Sequence, residues 1–142
     1  MAVRQISIEL KNTPNSLGAL LKALDGGVNI RILTISETYY KGSVRIIVDK
    51  IDEAITILNG AGFDPVISNM LAVEIDDCPG SLCNAMNTCA GINLHYAYSH
   101  VNQVSKKAIL FLRFTDEDGA KAMRLFTGNG YKLLSEKEVC GI

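Results

Sequence analysis

One pattern occurs twice in this chain, first as Ile6-Ser-Ile-Glu-Leu-Lys-Asn-Thr-Pro-Asn-Ser-Leu17 and again as Leu71-Ala-Val-Glu-Ile-Asp-Asp-Cys-Pro-Gly-Ser-Leu82. Each copy is followed by a Gly-x-Asn turn, Gly27-Val-Asn-Ile30 or Gly91-Ile-Asn-Leu94. Each therefore runs from an alternating strand through a Pro-containing turn into a helix, and then through a second turn into another strand. The pattern predicts a tandem repeat of one architecture.

Apolar spacing predicts two helices in each copy. In the first helix Leu17, Leu20, Leu21 and Leu24 recur at i, i+3, i+4 and i+7, and Leu82, Ala85, Met86 and Cys89 repeat that spacing in the second copy. Runs of β-branched residues and a predicted turn at 39–42 complete the order βαββαβ. The predicted strands are 5–10, 30–36, 44–48 and 65–68, then 72–76, 93–99, 108–114 and 132–135.

This order predicts an α+β fold made of two ferredoxin-like βαββαβ units, residues 1–69 and 70–142. No Pro-rich or Ser-rich linker separates the two units. Joining an edge strand of one sheet to an edge strand of the other would cover unpaired backbone groups. We therefore expect one pseudo-twofold antiparallel sheet of roughly eight strands, with four helices on one face.

Composition excludes several classes of partner. Fourteen basic residues stand against fifteen acidic ones in 142 residues, so the sequence has no electrostatic footprint for nucleic acid or an anionic membrane. No apolar run approaches the roughly 20 residues of a spanning helix. A strand pattern follows Met1 at once, without the pattern of a signal peptide. We expect a cytoplasmic protein.

No residue pattern indicates catalysis, a metal site or a cofactor site. The four cysteines form no Cys-x-x-Cys pair, which favours reduced structural thiols. His95 and His100 face opposite sides of an ideal strand, so they are poorly placed to share a metal. Cys78 precedes a helix start and could act as a nucleophile, but no histidine base can be assigned to it. No Gly-rich phosphate loop occurs.

The strand, the turn Asp77-Cys-Pro-Gly-Ser-Leu82, the helix and Gly91-Ile-Asn-Leu94 together resemble the ACT domain, an amino-acid-sensing βαββαβ module found beside metabolic enzymes such as aspartokinase. The first copy departs from this pattern, because Asn12-Thr-Pro-Asn15 replaces the usual Asp-x-Pro-Gly. Asn can still adopt the left-handed backbone that Gly favours. The resemblance covers the whole chain and implies a stand-alone tandem pair of regulatory ACT units.

A free amino acid requires donors for its carboxylate and an acceptor for its ammonium. Backbone N–H groups at the two helix starts suit the carboxylate, and the Asp77 side chain suits the ammonium. The resemblance implies a ligand held between a loop of one unit and the second strand of its neighbour. The candidate ligand-binding residues are Asn12, Thr13, Pro14, Asn15, Ser16, Leu17, Asn29 and Ile30 in the first copy, and Asp77, Cys78, Pro79, Gly80, Ser81, Leu82, Asn93 and Leu94 in the second.

Two alternatives remain open at this point. Asp, Asn, Thr and Ser before a helix often serve only as caps, and Pro is common at the first helical position. For the whole protein, we expect a non-enzymatic sensor that binds a free amino acid and acts on a metabolic enzyme or on its own oligomeric state. The alternative is a structural or regulatory-subunit module that docks or dimerises an enzyme without binding a ligand. A small metabolic enzyme on the same fold is a third hypothesis, since fold alone does not fix function.

Overall fold

The computed structural model describes residues 2–37 and 41–141. Its strands are β1 (Val3–Lys11), β2 (Ile30–Glu37), β3 (Lys41–Val48), β4 (Val66–Asp76), β5 (Tyr96–Asn102), β6 (Lys107–Arg113) and β7 (Lys132–Leu133). Its helices are α1 (Ser16–Leu24), α2 (Ile51–Gly60), α3 (Ser81–Thr88), α4 (Asp116–Gly128) and α5 (Glu136–Cys140). Two compact units result, one of Arg4–Ser68 and one of Met1–Val3 with Asn69–Ile142.

In the first unit, β3 pairs antiparallel with both β1 and β2. Ile6 lies opposite Ile46 and Ile8 opposite Val44, so one face of these strands presents a continuous apolar surface. The buried stripes of α1 and α2 pack on that face. The core they form contains Ile6, Ile8, Leu20, Leu24, Val28, Val44, Ile46, Val48, Ile51, Ala54 and Leu58.

The second unit repeats this arrangement. Here β6 pairs antiparallel with β4 and β5, and the short strand β7 pairs with β4 at Val73 and Glu74. Leu71 lies opposite Leu112 and Val73 opposite Leu110. The core under α3 and α4 contains Leu71, Val73, Ile75, Ala85, Cys89, Ala108, Leu110, Leu112, Phe114, Ala122 and Phe126. The predicted α+β class with two βαββαβ units is thus confirmed.

The strand and helix counts differ from the prediction. Among residues 2–37 and 41–141 there are seven strands rather than eight, because predicted strands 65–68 and 72–76 form the single strand β4. The predicted strand 132–135 ends at Leu133, and Ser135 instead begins a fifth helix, α5. Strand β5 starts at Tyr96, three residues later than predicted. Tyr39 and Tyr40 of the predicted turn lie outside the described residues, and Gly42 belongs to β3. The pseudo-twofold relation stays a prediction.

Candidate functional site

The turn between β1 and α1 has an unusual backbone at its last residue. Asn15, the N-cap of α1, adopts the left-handed conformation, with φ 66° and ψ 4°. The backbone N–H of Ser16 donates to the carbonyl of Thr13 at 3.3 Å, and the hydroxyls of these two residues lie 2.6 Å apart. Asn12 through Asn15 are all exposed. The turn is closed by short local contacts and opens toward solvent.

The turn between β4 and α3 has the same geometry. Gly80, the N-cap of α3, has φ 88° and ψ −16°. The Ser81 N–H donates to the Cys78 carbonyl at 3.3 Å, and Cys78 Sγ lies 3.0 Å from Ser81 Oγ. Asp77 is fixed at its backbone, where its N–H donates to the carbonyl of Lys106 at 3.1 Å. The two turns therefore have similar backbone conformations and different side chains.

Neither of these helix starts is capped by its N-cap side chain. Asn15 makes no such hydrogen bond, and Gly80 has no side chain to make one. In contrast, Thr115 and Ser135 accept side-chain hydrogen bonds from the first turns of α4 and α5. The first N–H groups of a helix have no intrahelical acceptor. The N-cap side chains of α1 and α3 therefore make no capping hydrogen bond, as is also true of Lys50 before α2.

Each turn also has an acidic residue in it or bonded to it. In the second turn this residue is the exposed Asp77. In the first turn the Asn12 amide donates to Oε1 of Glu37, at the end of β2. Glu37 is not among the predicted site residues, because a contact between residues 25 positions apart leaves no local signal in the sequence. Both turns thus combine helix-start donors with a nearby acidic group.

The Gly-x-Asn turns lie elsewhere within each unit. Asn29 is held at the far end of β2, where its N–H donates to Asp49 Oδ1 at 2.9 Å. The eight residues of β2 span about 26 Å, which separates Asn29 and Ile30 from the Glu37 end. In the second unit Asn93 and Leu94 precede His95, whose N–H donates to the Arg113 carbonyl, at the opposite end of β6 from Lys107. Within a unit, the candidate residues therefore form two separate groups.

The family model for the ACT domain pair matches residues 1–142. The chain belongs to the ACT domain pair family. A crystal structure of a protein from Bacteroides thetaiotaomicron superposes on this ACT pair with a TM-score of 0.91 and 24% identity, over 100% of this chain and 98% of the other. The regulatory subunit of aspartate kinase from Thermus thermophilus gives 0.63 and 15% identity, over 88% and 90%. Comparison with curated proteins gives no match.

These likenesses establish the fold of the ACT pair and nothing more specific. A regulatory domain of aspartate kinase from Porphyromonas gingivalis W83 is similar too, with a TM-score of 0.50 and 14% identity over 90% of this chain and 93% of that one. Identities at this level show a shared architecture. The ligand of the ACT pair must be argued from its own residues.

The cysteines of this ACT pair lie in different surroundings, and one of them, Cys78, belongs to the second turn. Burial raises the pKa of the Cys89 thiol, which packs in the second core. Cys78 and Cys83 are exposed free thiols.

Within the described part of the chain, no three His, Cys, Asp or Glu side chains are grouped closely enough to hold a metal ion. Nor is any helix there both long enough and apolar enough to cross a membrane.

Proposed function

We propose that this ACT pair is a non-enzymatic regulatory protein that binds a free amino acid at its β1–α1 type turns. One observation carries the proposal. Both α1 and α3 begin at a left-handed residue that supplies no side-chain cap, which leaves helix-start N–H groups available to a carboxylate. The positive end of the helix dipole favours the same group.

The second turn is the stronger candidate of the two. The exposed Asp77 carboxylate is an acceptor for the ligand ammonium, and Gly80 lets the ligand approach the backbone without a Cβ in the way. In the first turn, the Glu37 carboxylate already accepts a hydrogen bond from the Asn12 amide. The Asn15 side chain also leaves a ligand less space to approach the backbone than Gly80 does. We expect the higher affinity at Asp77.

Regulation requires only that the ligand bind two conformations with different affinity. The related structures include a protein described as the regulatory subunit of aspartate kinase. A metabolic enzyme is therefore the partner we propose for this chain, with a second copy of the chain as the other candidate. Occupancy of the turn would change the affinity for that partner.

The proposal is tested by thermal unfolding in the presence of each of the twenty amino acids. A ligand at about 100 times its dissociation constant adds about 2.7 kcal/mol to the free energy of unfolding, so the melting temperature rises measurably. Asp77→Asn keeps the side-chain shape and removes the charge. We expect it to abolish the shift given by the wild-type ligand.

The matched control is Asp76→Asn, which changes the net charge equally one residue away, at a carboxylate paired with Lys107. It should keep the ligand-dependent shift. A panel in which no amino acid raises the melting temperature would contradict the proposal and favour an enzyme-docking module without a ligand. In that case, the amount of partner protein captured from lysate should not change when amino acids are added.

A further inference from the structure

The second unit contains an apolar cavity that the proposed function does not use. Its volume is about 180 Å³, and it lies between the first turns of α4 and the adjoining ends of β4 and β6. The strand side of the cavity is lined by the buried residues Leu71, Leu112 and Phe114. The helix side is lined by Gly119 and Met123 of α4. All of these residues belong to one compact unit.

In the first unit, a buried side chain occupies the helix position that is equivalent to the cavity. Helices α2 and α4 end in the same way. After α2 the backbone N–H of Phe63 donates to the Leu58 carbonyl at 3.0 Å. After α4 the backbone N–H of Tyr131 donates to the Phe126 carbonyl, also at 3.0 Å. Counting back from these ends aligns Leu58 with Phe126, Ala54 with Ala122, and Ile51 with Gly119. The Ile51 side chain is buried in the first core.

At Gly119 the corresponding side chain is missing. A Cβ built there would have no atom within 4 Å apart from its own helix and chain neighbours. The cavity therefore lies where the first unit places an isoleucine side chain. Because Gly weakens a helix interior, its occurrence here costs stability and leaves room for an outside group.

The size of the cavity limits what it can hold. Apolar cavities of about 150 Å³ in proteins stay dry and bind molecules as large as benzene. A cavity of about 180 Å³ therefore suits one branched aliphatic side chain or a benzyl group. Such a group would meet the same apolar neighbours that a core residue meets.

Beside the polar residues Asn69 and Thr115, the cavity lining contains an oppositely charged pair, Arg113 and Asp116. Nη1 of Arg113 donates to Asp116 Oδ1 at 3.3 Å and to the Asn69 carbonyl at 3.1 Å. The Arg113 side chain is only 21% exposed and the Asp116 side chain is 79% exposed. Arg113 has further N–H donors on Nη2 and Nε that can reach a carboxylate, and Asp116 can accept from an ammonium. A cation and an anion beside an apolar cavity match the head group of a zwitterion.

We propose that this cavity is a second ligand site, one that binds an α-amino acid with an apolar side chain, of the size of leucine, isoleucine or phenylalanine. The side chain occupies the space above Leu112, the carboxylate contacts Arg113 and the ammonium contacts Asp116. The site lies at the Arg113 end of β6, about 20 Å along the strand from Lys107 and the Asp77 turn. It does not depend on ligand binding at that turn.

The test is isothermal titration calorimetry of the full chain with L-leucine, L-isoleucine and L-phenylalanine. Gly119→Ile places in α4 the residue that α2 has at the equivalent position, and it should fill the cavity. We expect it to weaken binding by about 10-fold to 100-fold, because the ligand loses its buried apolar surface. Gly128→Ile is the matched control at the exposed far end of the same helix, and it should bind as the wild type does.

Two further measurements keep the outcome decisive if Gly119→Ile does not fold, as judged by circular dichroism. Asp116→Asn removes an exposed charge and should weaken leucine binding by about 10-fold. Isopentylamine and 4-methylpentanoate, which lack the carboxylate and the ammonium respectively, should each bind more weakly than leucine by a similar factor.

Three results would overturn this site. The first is no binding of any apolar amino acid to the wild type at about 10 mM, a concentration well above ordinary metabolite affinities. The second is unchanged affinity in both Gly119→Ile and Asp116→Asn. The third is loss of binding in Asp77→Asn alone, which would assign the ligand to the turn and support the proposed function instead. Binding that survives Asp77→Asn and is lost in Gly119→Ile supports the cavity site, whatever happens at the turn.

Discussion

The two units differ most where their helices begin. In the first unit α2 starts with the buried Ile51, and the β1–α1 turn holds neutral Asn12 and Asn15. In the second unit the position equivalent to Ile51 is Gly119, and the turn holds Asp77 and Gly80. The backbone is nevertheless the same in both turns. The two units thus share one architecture and differ in their side chains, and this difference is the reason we propose ligand binding in the second unit.

This comparison predicts that core truncation is costly in both units and costlier in the second. Phe126→Ala should lower the free energy of unfolding by about 4 kcal/mol, and Leu58→Ala by about 3 kcal/mol, because both side chains are fully buried and leave cavities. Urea titration followed by circular dichroism measures both values.

The control for both variants is Leu125→Ala, one residue before Phe126 and 40% exposed. It should change the free energy of unfolding by less than about 1 kcal/mol. If Leu125→Ala proved as harmful as Phe126→Ala, the assignment of the inner face of α4 would be wrong, and the alignment of Phe126 with Leu58 would fail with it.

The two turns should respond differently to alanine. Gly80→Ala forces a Cβ into the left-handed region and should cost about 1–2 kcal/mol of unfolding free energy. Asn15→Ala should cost about 1 kcal/mol or less, because Asn already carries part of that strain. Thermal and urea unfolding would measure the difference between the two variants.

Steric crowding does not explain the expected loss at Gly80, since a Cβ there meets no atom within 4 Å. Gly91→Ala is the matched control in the same unit, because its Cβ would also lie in open space and Gly91 is not among the residues with positive φ. It should be neutral or slightly stabilising. Equal losses at Gly80 and Gly91 would show that the left-handed conformation is not the cause.

Much of the fold could be predicted because its signals are local and repeated. The periodic leucines of α1 and the matching stripes of α2, α3 and α4 identify helices whose inner residues are buried. The sequence predicts separate strands at 65–68 and 72–76, yet the structure has one continuous strand, β4, over both. Pairing with neighbouring strands decides that outcome, and local sequence does not report it.

The candidate site could be predicted only in part for the same reason. The Pro-containing turns have a local signature, and the structure gives both the left-handed N-cap that Asn15 and Gly80 allow. The contact from Asn12 to Glu37 and the cavity above Leu112 arise from residues far apart in the chain. Gly119 becomes informative only because the structure shows a cavity beside it. The length of β2 likewise separates Asn29 from the β1–α1 turn.

The smallest expected effect concerns α5, a helix that follows β7 in the second unit and was not predicted. Its signal is present in the sequence as Ser135-x-x-Glu138, a capping box, but five residues are too few to show a helical period. Ser135→Ala should cost about 1 kcal/mol of unfolding free energy at pH 7, since it removes the N-cap. Thr115→Ala, which removes the N-cap of α4, is the control and should cost a similar amount.

The pH dependence of that effect distinguishes the capping box from a simple cap. Hydrogen bonds from the Ser135 N–H and hydroxyl, with help from Lys132, lower the pKa of Glu138. A lowered folded-state pKa stabilises the protein above the unfolded-state pKa, and this stabilisation is lost as the pH falls through the folded-state value. Between pH 7 and strongly acidic pH, the wild type should therefore lose more stability than Glu138→Gln does. Parallel pH profiles for the two proteins would mean that Ser135 acts as a simple N-cap and that the Glu138 carboxylate adds no stability to it.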